Sequence, residues 1–436
     1  MRLSIFGAGF LMLLVVSCSP YRKINQSAHK NLLNDSILRS AHIGISIFDP
    51  GLNTYLFNYQ GNKYFVPASN TKLATCYAVL KYLGDSLPVF QYVIESDTLI
   101  LFPSGDPTFL HPDFSKQKAF GFLKSNPLPL AVSLSGWQEE RWGSGWSWTD
   151  YSEDYMAERS GFPVYGNVVR FRKEASQLSV SPSYFRSSVT VDNPTAPGLF
   201  PSSVVRDIAS NSFHVTATGK RELSIETPYF SDNGLTQLKL LQDTLRKTVV
   251  LSNRKQIPGS LMTTVYSGPV DSLLRLMMHR SDNFFAEQTL LMVSNRLTGS
   301  MNDDRVIDTL LKTGFSDLPQ KPRWVDGSGL SRYNLFTPQD FIALLQKMKT
   351  DFGMERMKTI LATGNTGTLA NYYKTDSSFI YAKTGTLSGV VALSGYLYTR
   401  KDRLLIFSVL VNNHQGSAVR VRRKVEQFIK AIRERY

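Results

Sequence analysis

Two cysteines in 436 residues, Cys18 and Cys76, are too few to staple a disulfide scaffold or to fill a cysteine-rich zinc module. The six histidines (His29, His42, His111, His214, His279 and His414) stand singly with no HxxxH or HxxEH spacing, so a helical zinc site has no ligands. GxSxG, GxxxxGKS/T and GxGxxG are all missing, which removes the nucleophile elbow, the P-loop and the dinucleotide fingerprint. No metal or organic cofactor is expected. No charge-free apolar stretch reaches the roughly 20 residues of a membrane-spanning helix. There is neither an internal repeat nor a low-complexity tract. With 42% hydrophobic and 19% charged residues, disorder, collagen and a bare coiled coil are excluded, and the chain is too long for one ordinary domain.

At the N-terminus Arg2 precedes the apolar run from Ile5 to Val16, and Ser17 stands just before Cys18, the layout of an export signal. Val15-Val16-Ser17-Cys18 resembles the bacterial lipobox. That resemblance implies a signal peptide of residues 1–17, a lipid on Cys18 and a membrane tether over 18–40; an ordinary signal cut nearby is the other reading. Both place the mature protein outside the cytoplasm, in the periplasm. There an excess of 49 Lys and Arg over 35 Asp and Glu suits anionic membranes and wall polymers rather than nucleic acid. The basic residues are dispersed, and the one local patch, Arg420, Arg422, Arg423 and Lys424, reads as a solvated helix face.

Hydrophobic periodicity outlines the organisation. His42–Phe48 alternates as a strand, Asp49-Pro50-Gly51 turns, and Thr54–Asn58 answers as its hairpin partner. A helix opens near Ser69 and stops at Leu83-Gly84. From 98 to 257 short β-like runs are broken by Gly, Pro, Ser and Asn. Helical spacing then returns at Ser272–Met278, Phe284–Leu297 and Pro338–Met348. A hairpin over Gly389–Tyr398 and Leu404–Val411 leads to an amphipathic helix at Ser417–Arg435. The expected organisation is a catalytic domain made of 41–97 and 258–436, interrupted by a mostly β insertion at 98–257.

A serine nucleophile without a histidine needs another base, and a lysine one helical turn away serves if its ammonium pKa is depressed. Ser69-Asn70-Thr71-Lys72 provides this pair on one helix face. The spacing alone is weak, since Ser27/Lys30, Ser115/Lys118 and Ser252/Lys255 repeat it; only Ser69 opens an apolar helix able to bury its lysine. Ser281-Asp282-Asn283 sits between two amphipathic segments, whereas Ser231-Asp232-Asn233-Gly234 reads as a turn. Lys383-Thr384-Gly385 lies between two strand-like runs on a sheet edge, whereas Lys312-Thr313-Gly314 ends a helix. Gly84-Asp85-Ser86-Leu87 spells a GDSL tetrapeptide but has no matching Asp-x-x-His, and reads as a helix-terminal turn.

SxxK, SxN and KTG in this order and context are the signature of penicillin-binding proteins and serine β-lactamases. The chain further resembles the class C low-molecular-mass penicillin-binding proteins, the D-alanyl-D-alanine carboxypeptidases/endopeptidases. It has their long SxxK-to-SxN separation, 212 residues here, and the blocks Ser104-Gly-Asp-Pro-Thr108, Gly145-Trp-Ser-Trp148, Asp326-Gly-Ser-Gly-Leu-Ser331 and Gly367-Thr-Leu369. The resemblance implies an α/β (α+β) transpeptidase-like fold, with an antiparallel sheet flanked by helices, acting on peptidoglycan stem peptides and acylated by β-lactams. It implies Ser69 as nucleophile, Lys72 as its base, and the N–H groups of Ser69 and Thr386 as oxyanion donors. It also implies Ser281 and Asn283 as a proton relay to the leaving amine, with Lys383, Thr384 and Gly385 on the edge that receives the terminal carboxylate. Asp150, with Tyr155, would pair with the substrate's diamino side chain, unless Asp150 is simply a turn residue. Arg332 would touch a carboxylate, and Ser388 departs from the glutamine of some members. A catalytically slow β-lactam or muropeptide binder, or a β-lactamase-like hydrolase, is the alternative function.

Overall fold

The computed structural model describes residues 20–174, 177–192, 203–216, 222–256 and 261–436; the expected signal peptide and Cys18 lie outside the described residues. Its main sheet has six strands in the order Ala362–Thr363, Ile380–Leu387, Val390–Tyr398, Leu404–Asn412, His42–Asp49 and Thr54–Tyr59, every neighbouring pair antiparallel. Val390–Tyr398 and Leu404–Asn412 are buried almost throughout because helices cover both sheet faces. Alternation then splits their side chains between two cores. Ala392, Tyr396, Ile406 and Leu410 face the helices Lys72–Tyr82 and Pro338–Phe352, while Val391, Leu393, Phe407 and Val409 face the C-terminal helix Ala418–Arg435. The helix Lys72–Tyr82 has no polar stripe, since Lys72 to Leu80 are all buried. Cys76 lies on it as a buried free thiol, its pKa pushed up by desolvation, and packs as a small hydrophobe.

Residues 20–40 differ from the expected tether. Pro20–Ala28 is an α-helix followed by a π turn at His29–Leu33, and Ile24, Ala28, Leu32 and Leu38 enter the core beneath the C-terminal helix. One apolar residue every four sufficed for a helix with a ready-made partner. Lys424 clamps the end of this segment through Asp35 at 2.9 Å.

The insertion also starts earlier and ends later than expected. Its five-stranded sheet runs Val249–Ser252, Leu130–Ser133, Thr98–Pro103, Ser86–Glu95, Thr263–Pro269, so it takes in a strand on either side of 98–257. Ser86–Glu95 joins Thr98–Pro103 through the two-residue turn Ser96-Asp97, both with positive φ (47° and 57°). That turn carries no glycine, and the hairpin went unnoticed for want of one. Two three-stranded sheets complete the insertion.

A buried ion cluster ties the insertion to the catalytic helices. Arg159 lies 2.5 Å from Asp303, 3.2 Å from Glu139 and 3.6 Å from Glu287. Truncating one member of such a cluster strands the remaining charges in a dry interior, so Arg159→Ala should lower unfolding free energy by about 3–5 kcal/mol. Denaturant unfolding measures this, and a loss below about 1 kcal/mol would mean that water reaches the cluster.

Candidate active site

The site forms where the helix Lys72–Tyr82, the loop between Val270–Arg280 and Asn283–Thr298, and the strand Ile380–Leu387 converge. Ser69 opens the first of these on a short 3-10 turn, Ala68–Thr71, and is half-buried, so its hydroxyl stays reachable. Ala68 before it holds φ 48°, a left-handed backbone that costs a residue with a Cβ about 1 kcal/mol or more. Packing on both sides maintains it. A Cβ on Gly329 would sit 1.9 Å from the Ala68 carbonyl oxygen, and one on Gly385 would sit 2.7 Å from the Pro67 carbonyl oxygen and 3.1 Å from the Ser69 nitrogen. The glycines of the DGSGLS and KTG blocks are thus what lets both segments close on the backbone of the Ser69 turn.

Lys72 is fully buried. Its Nζ lies 3.0 Å from Ser69 Oγ, 2.6 Å from Asn283 Oδ1 and 2.7 Å from the Ser328 carbonyl oxygen. Desolvation pulls its pKa down to about 8, against opposition from the buried carboxyl groups of Asp326, Glu287 and Asp282. The two oxygen acceptors use two N–H bonds of a neutral amine, and its lone pair is left for the Ser69 hydroxyl proton.

Ser281 caps the helix Val270–Arg280 in a left-handed conformation, φ 63°, and Asp282 then starts the next helix by accepting the Phe285 N–H at 2.8 Å. The turn aims Ser281 Oγ at Lys383 Nζ, 2.8 Å away, and Lys383 also donates to the Thr384 carbonyl at 2.7 Å. Asn283 spends its amide bridging, with Oδ1 on Lys72 and Nδ2 donating to the Tyr155 carbonyl of the insertion at 3.0 Å.

Lys383, Thr384, Gly385 and Thr386 lie inside the strand rather than after it. Their inner edge pairs with Val391–Ser394, and on the other edge Ala362–Thr363 covers only Tyr381 and Ala382. The edge from Lys383 onward faces the Ser69 turn, where an extended peptide can add as a further strand. Lys383 itself is fully buried and turned towards Ser281, and desolvation followed by repulsion from Lys72 drives its pKa well below the usual lysine value. An exposed ammonium for a carboxylate, as expected from sequence, is therefore not what this side chain presents. Thr384 is half-buried and Thr386 exposed.

Asp150 and Tyr155 come together on the insertion. Desolvation and the Asp150 carboxylate beside it push the Tyr155 hydroxyl up to about 12, and the backbone of Tyr155 touches Asn283. Arg332 donates to the Ser388 carbonyl at 2.9 Å, at the turn that ends the KTGT strand. Ser231-Asp232-Asn233 is a turn whose serine binds Glu158 at 2.8 Å, and Lys312 ends a helix paired with Asp308 at 2.6 Å.

Three contributors went unread in the sequence. The Ser328 carbonyl belongs to a turn shaped by Asp326, which accepts N–H bonds from Gly329, Ser331, Asn334 and Trp146. Glu287 accepts the Ser328 N–H at 2.7 Å; its place one turn after Asn283, on an apolar helix, was a usable signal. Arg422 of the C-terminal helix donates to Thr386 Oγ1 at 2.5 Å, a contact no local pattern announces.

The chain matches the D-Ala-D-Ala carboxypeptidase 3 (S13) family over residues 25–432. It is 24% identical to a D-alanyl-D-alanine carboxypeptidase of an Actinomadura species over 89% of this chain and 80% of that one. It is 23% identical to the D-alanyl-D-alanine carboxypeptidase DacB of Haemophilus influenzae over 98% of this chain and 96% of that one. The crystal structure of penicillin binding protein 4 from Haemophilus influenzae superimposes with a TM-score of 0.73 at 20% identity, covering 93% of this chain and 97% of that one. A predatory endopeptidase structure from Bdellovibrio bacteriovorus gives 0.52 at 14% identity, over 89% and 94% of the two chains. The match over most of its length places the chain in the D-Ala-D-Ala carboxypeptidase 3 (S13) family of serine peptidases that act on peptidoglycan, and within that fold Ser69 stands against a desolvated lysine beside a free strand edge.

Proposed function

We propose that Ser69 cleaves the D-Ala-D-Ala bond of peptidoglycan stem peptides, and the matching amide of cross-links, through an acyl-enzyme. The observation that carries this is the three-way contact of Lys72 with Ser69, Asn283 and Ser328. Lys72 accepts the hydroxyl proton as Ser69 Oγ bonds to the carbonyl carbon, while the N–H groups of Ser69 and Thr386 hold the oxyanion. The C–N bond then breaks, and the departing amine takes a proton through Ser281, whose hydroxyl is joined to Lys383. Water attacks the ester and regenerates Ser69. A β-lactam enters by the same step, its ring C–N bond opening. Asp150, on the insertion near Asn283, serves as counter-charge to the ammonium of the diamino side chain. The test is D-alanine release from a disaccharide pentapeptide and monomer release from cross-linked dimers. Covalent penicillin capture without either product would instead support a slow β-lactam binder, and steady nitrocefin turnover a β-lactamase-like hydrolase.

The protein is further proposed to be an exported lipoprotein, anchored at Cys18. The support is the sequence Val15-Val16-Ser17-Cys18 following an apolar run. Among the described residues no helix is long and apolar enough to cross a membrane. An anchor at Cys18 would sit next to the helix Pro20–Ala28, which packs into the core, and so hold the catalytic domain close to the bilayer. Cys18→Ser should move the protein from the membrane pellet to the soluble fraction and abolish labelling by radioactive palmitate, and an unchanged pellet fraction would refute the anchor.

A further inference from the structure

Positive charge is spread unevenly over this fold. Residues 20–40 and 417–436 hold eleven Lys and Arg against three Asp and Glu, so these two short segments supply +8 of the chain's +14. The fold joins them into one outer layer. Lys23 and Ser27 line a small cavity with Ala431 and Arg435, and Asp35 meets Lys424 at 2.9 Å, so the helices Pro20–Ala28 and Ala418–Arg435 run side by side and antiparallel. Their apolar sides, with Ile24, Ala28, Val425 and Ile432, cover one face of the main sheet. The insertion joins the core on the opposite face, through Leu87, Ala157 and Val168.

All three carboxylates of the layer are already engaged: Asp35 by Lys424, Glu426 by Arg423 at 2.7 Å and Glu434 by Arg400 at 2.9 Å. Lys23, Lys30, Arg39, Arg420 and Arg435 are exposed and make no ion pair or hydrogen bond among the described residues. From Arg420 to Arg435 the C-terminal helix alone carries this charge over roughly 22 Å. Cations fixed on one rigid face repel each other, and a surface of opposite sign relieves that repulsion. Cys18 precedes Pro20 by two residues, a reach of at most about 7 Å, so a lipid there brings this layer to the bilayer first.

We infer that the outer face of this two-helix layer docks on anionic phospholipid headgroups, with Lys23, Lys30, Arg39, Arg420 and Arg435 against the phosphates. The inference rests on the lipoprotein reading and deepens it: the lipid attaches the protein, and the layer sets its orientation, with the insertion turned away from the bilayer. The basic patch on the last helix is thereby a docking face rather than a merely solvated one.

The experiment uses the Cys18→Ser protein, which has no lipid to mask a weak contact, sedimented with phosphatidylcholine vesicles with and without phosphatidylglycerol. In about 0.05 M salt it should bind the anionic vesicles about tenfold more than the neutral ones, and lose the preference by about 0.5 M. Screening at physiological salt leaves the contact too weak to keep the unlipidated protein in a membrane pellet. Lys23→Glu/Arg420→Glu/Arg435→Glu should lower binding to the anionic vesicles about tenfold. Lys116→Glu/Lys118→Glu/Lys239→Glu, the same change of charge placed on the insertion, should lower it less than about twofold. Unchanged D-alanine release from a soluble pentapeptide reports an intact fold in both. No preference for anionic vesicles, equal losses in the two triple variants, or a layer variant that keeps vesicle binding and loses binding to isolated peptidoglycan would overturn the assignment. Absence of palmitate label on the wild type would instead count against the lipid at Cys18, and the vesicle result would stand by itself.

Discussion

Ser69→Ala should reduce both penicillin acylation and D-alanine release by about 10^4-fold or more, since removing a nucleophile that works as a unit with its base costs nearly the whole covalent pathway. The fold should survive. Lys72 keeps its bonds to Asn283 Oδ1 and the Ser328 carbonyl, at 2.6 and 2.7 Å, so the buried amine is not stranded when the hydroxyl goes. A melting temperature near that of the wild type would separate chemistry from stability. Ser27→Ala, Ser115→Ala and Ser252→Ala, each removing the serine of another SxxK match, should label like the wild type. A gel of the four variants with fluorescent penicillin decides the matter in one step, and a labelled band in Ser69→Ala would move the nucleophile elsewhere.

What could be read in advance was whatever depends on local pattern. The buried strands Val390–Tyr398 and Leu404–Asn412 and the helices on either side are long, strongly periodic segments, and each was found within a few residues of its observed span. Ser69 and Lys72 share a helix face, so their meeting needs only one turn of backbone. Contacts set by tertiary approach could not be read this way. Lys383 lies on a strand edge that the sequence reads as exposed, yet the Ser281 turn closes over it and buries its ammonium. Arg422 looked like one of four solvated cations, and only the docking of the last helix against the sheet takes it to Thr386. Ser86–Glu95 was left out of the insertion because its hairpin turn uses Ser96 and Asp97 where glycine or asparagine is the usual sign. Residues 20–33 had too few apolar positions to announce a helix, and became one because the C-terminal helix offered a face to cover.

Lys72→Arg should slow acylation by about 10^3-fold or more, although it preserves charge and length, because a guanidinium does not give up a proton at any pH the protein tolerates. The wild-type pH profile should show the corresponding rise. Burial brings Lys72 to about 8, so the neutral, proton-accepting form is the minority at pH 6 and the majority at pH 9. The active form is the deprotonated one, hence the sign: the second-order rate of penicillin acylation should climb about tenfold per pH unit below the pKa and level off above it. Asp326, Glu287 and Asp282 hold the value up against desolvation. Burial raises Glu287 itself to about 8, so its carboxylate supports Lys72 only near and above that pH; Glu287→Gln removes this support, so the upper end of the rising limb should shift to lower pH while the plateau rate changes little. That displacement distinguishes an electrostatic neighbour from a structural one, since a merely loosened site would lower the plateau and leave the midpoint in place. Stopped-flow acylation between pH 5 and pH 10 measures all three proteins. A flat wild-type profile, or an arginine variant that acylates at the wild-type rate, would remove Lys72 from the role of base and leave Lys383, through Ser281, as the group to test next.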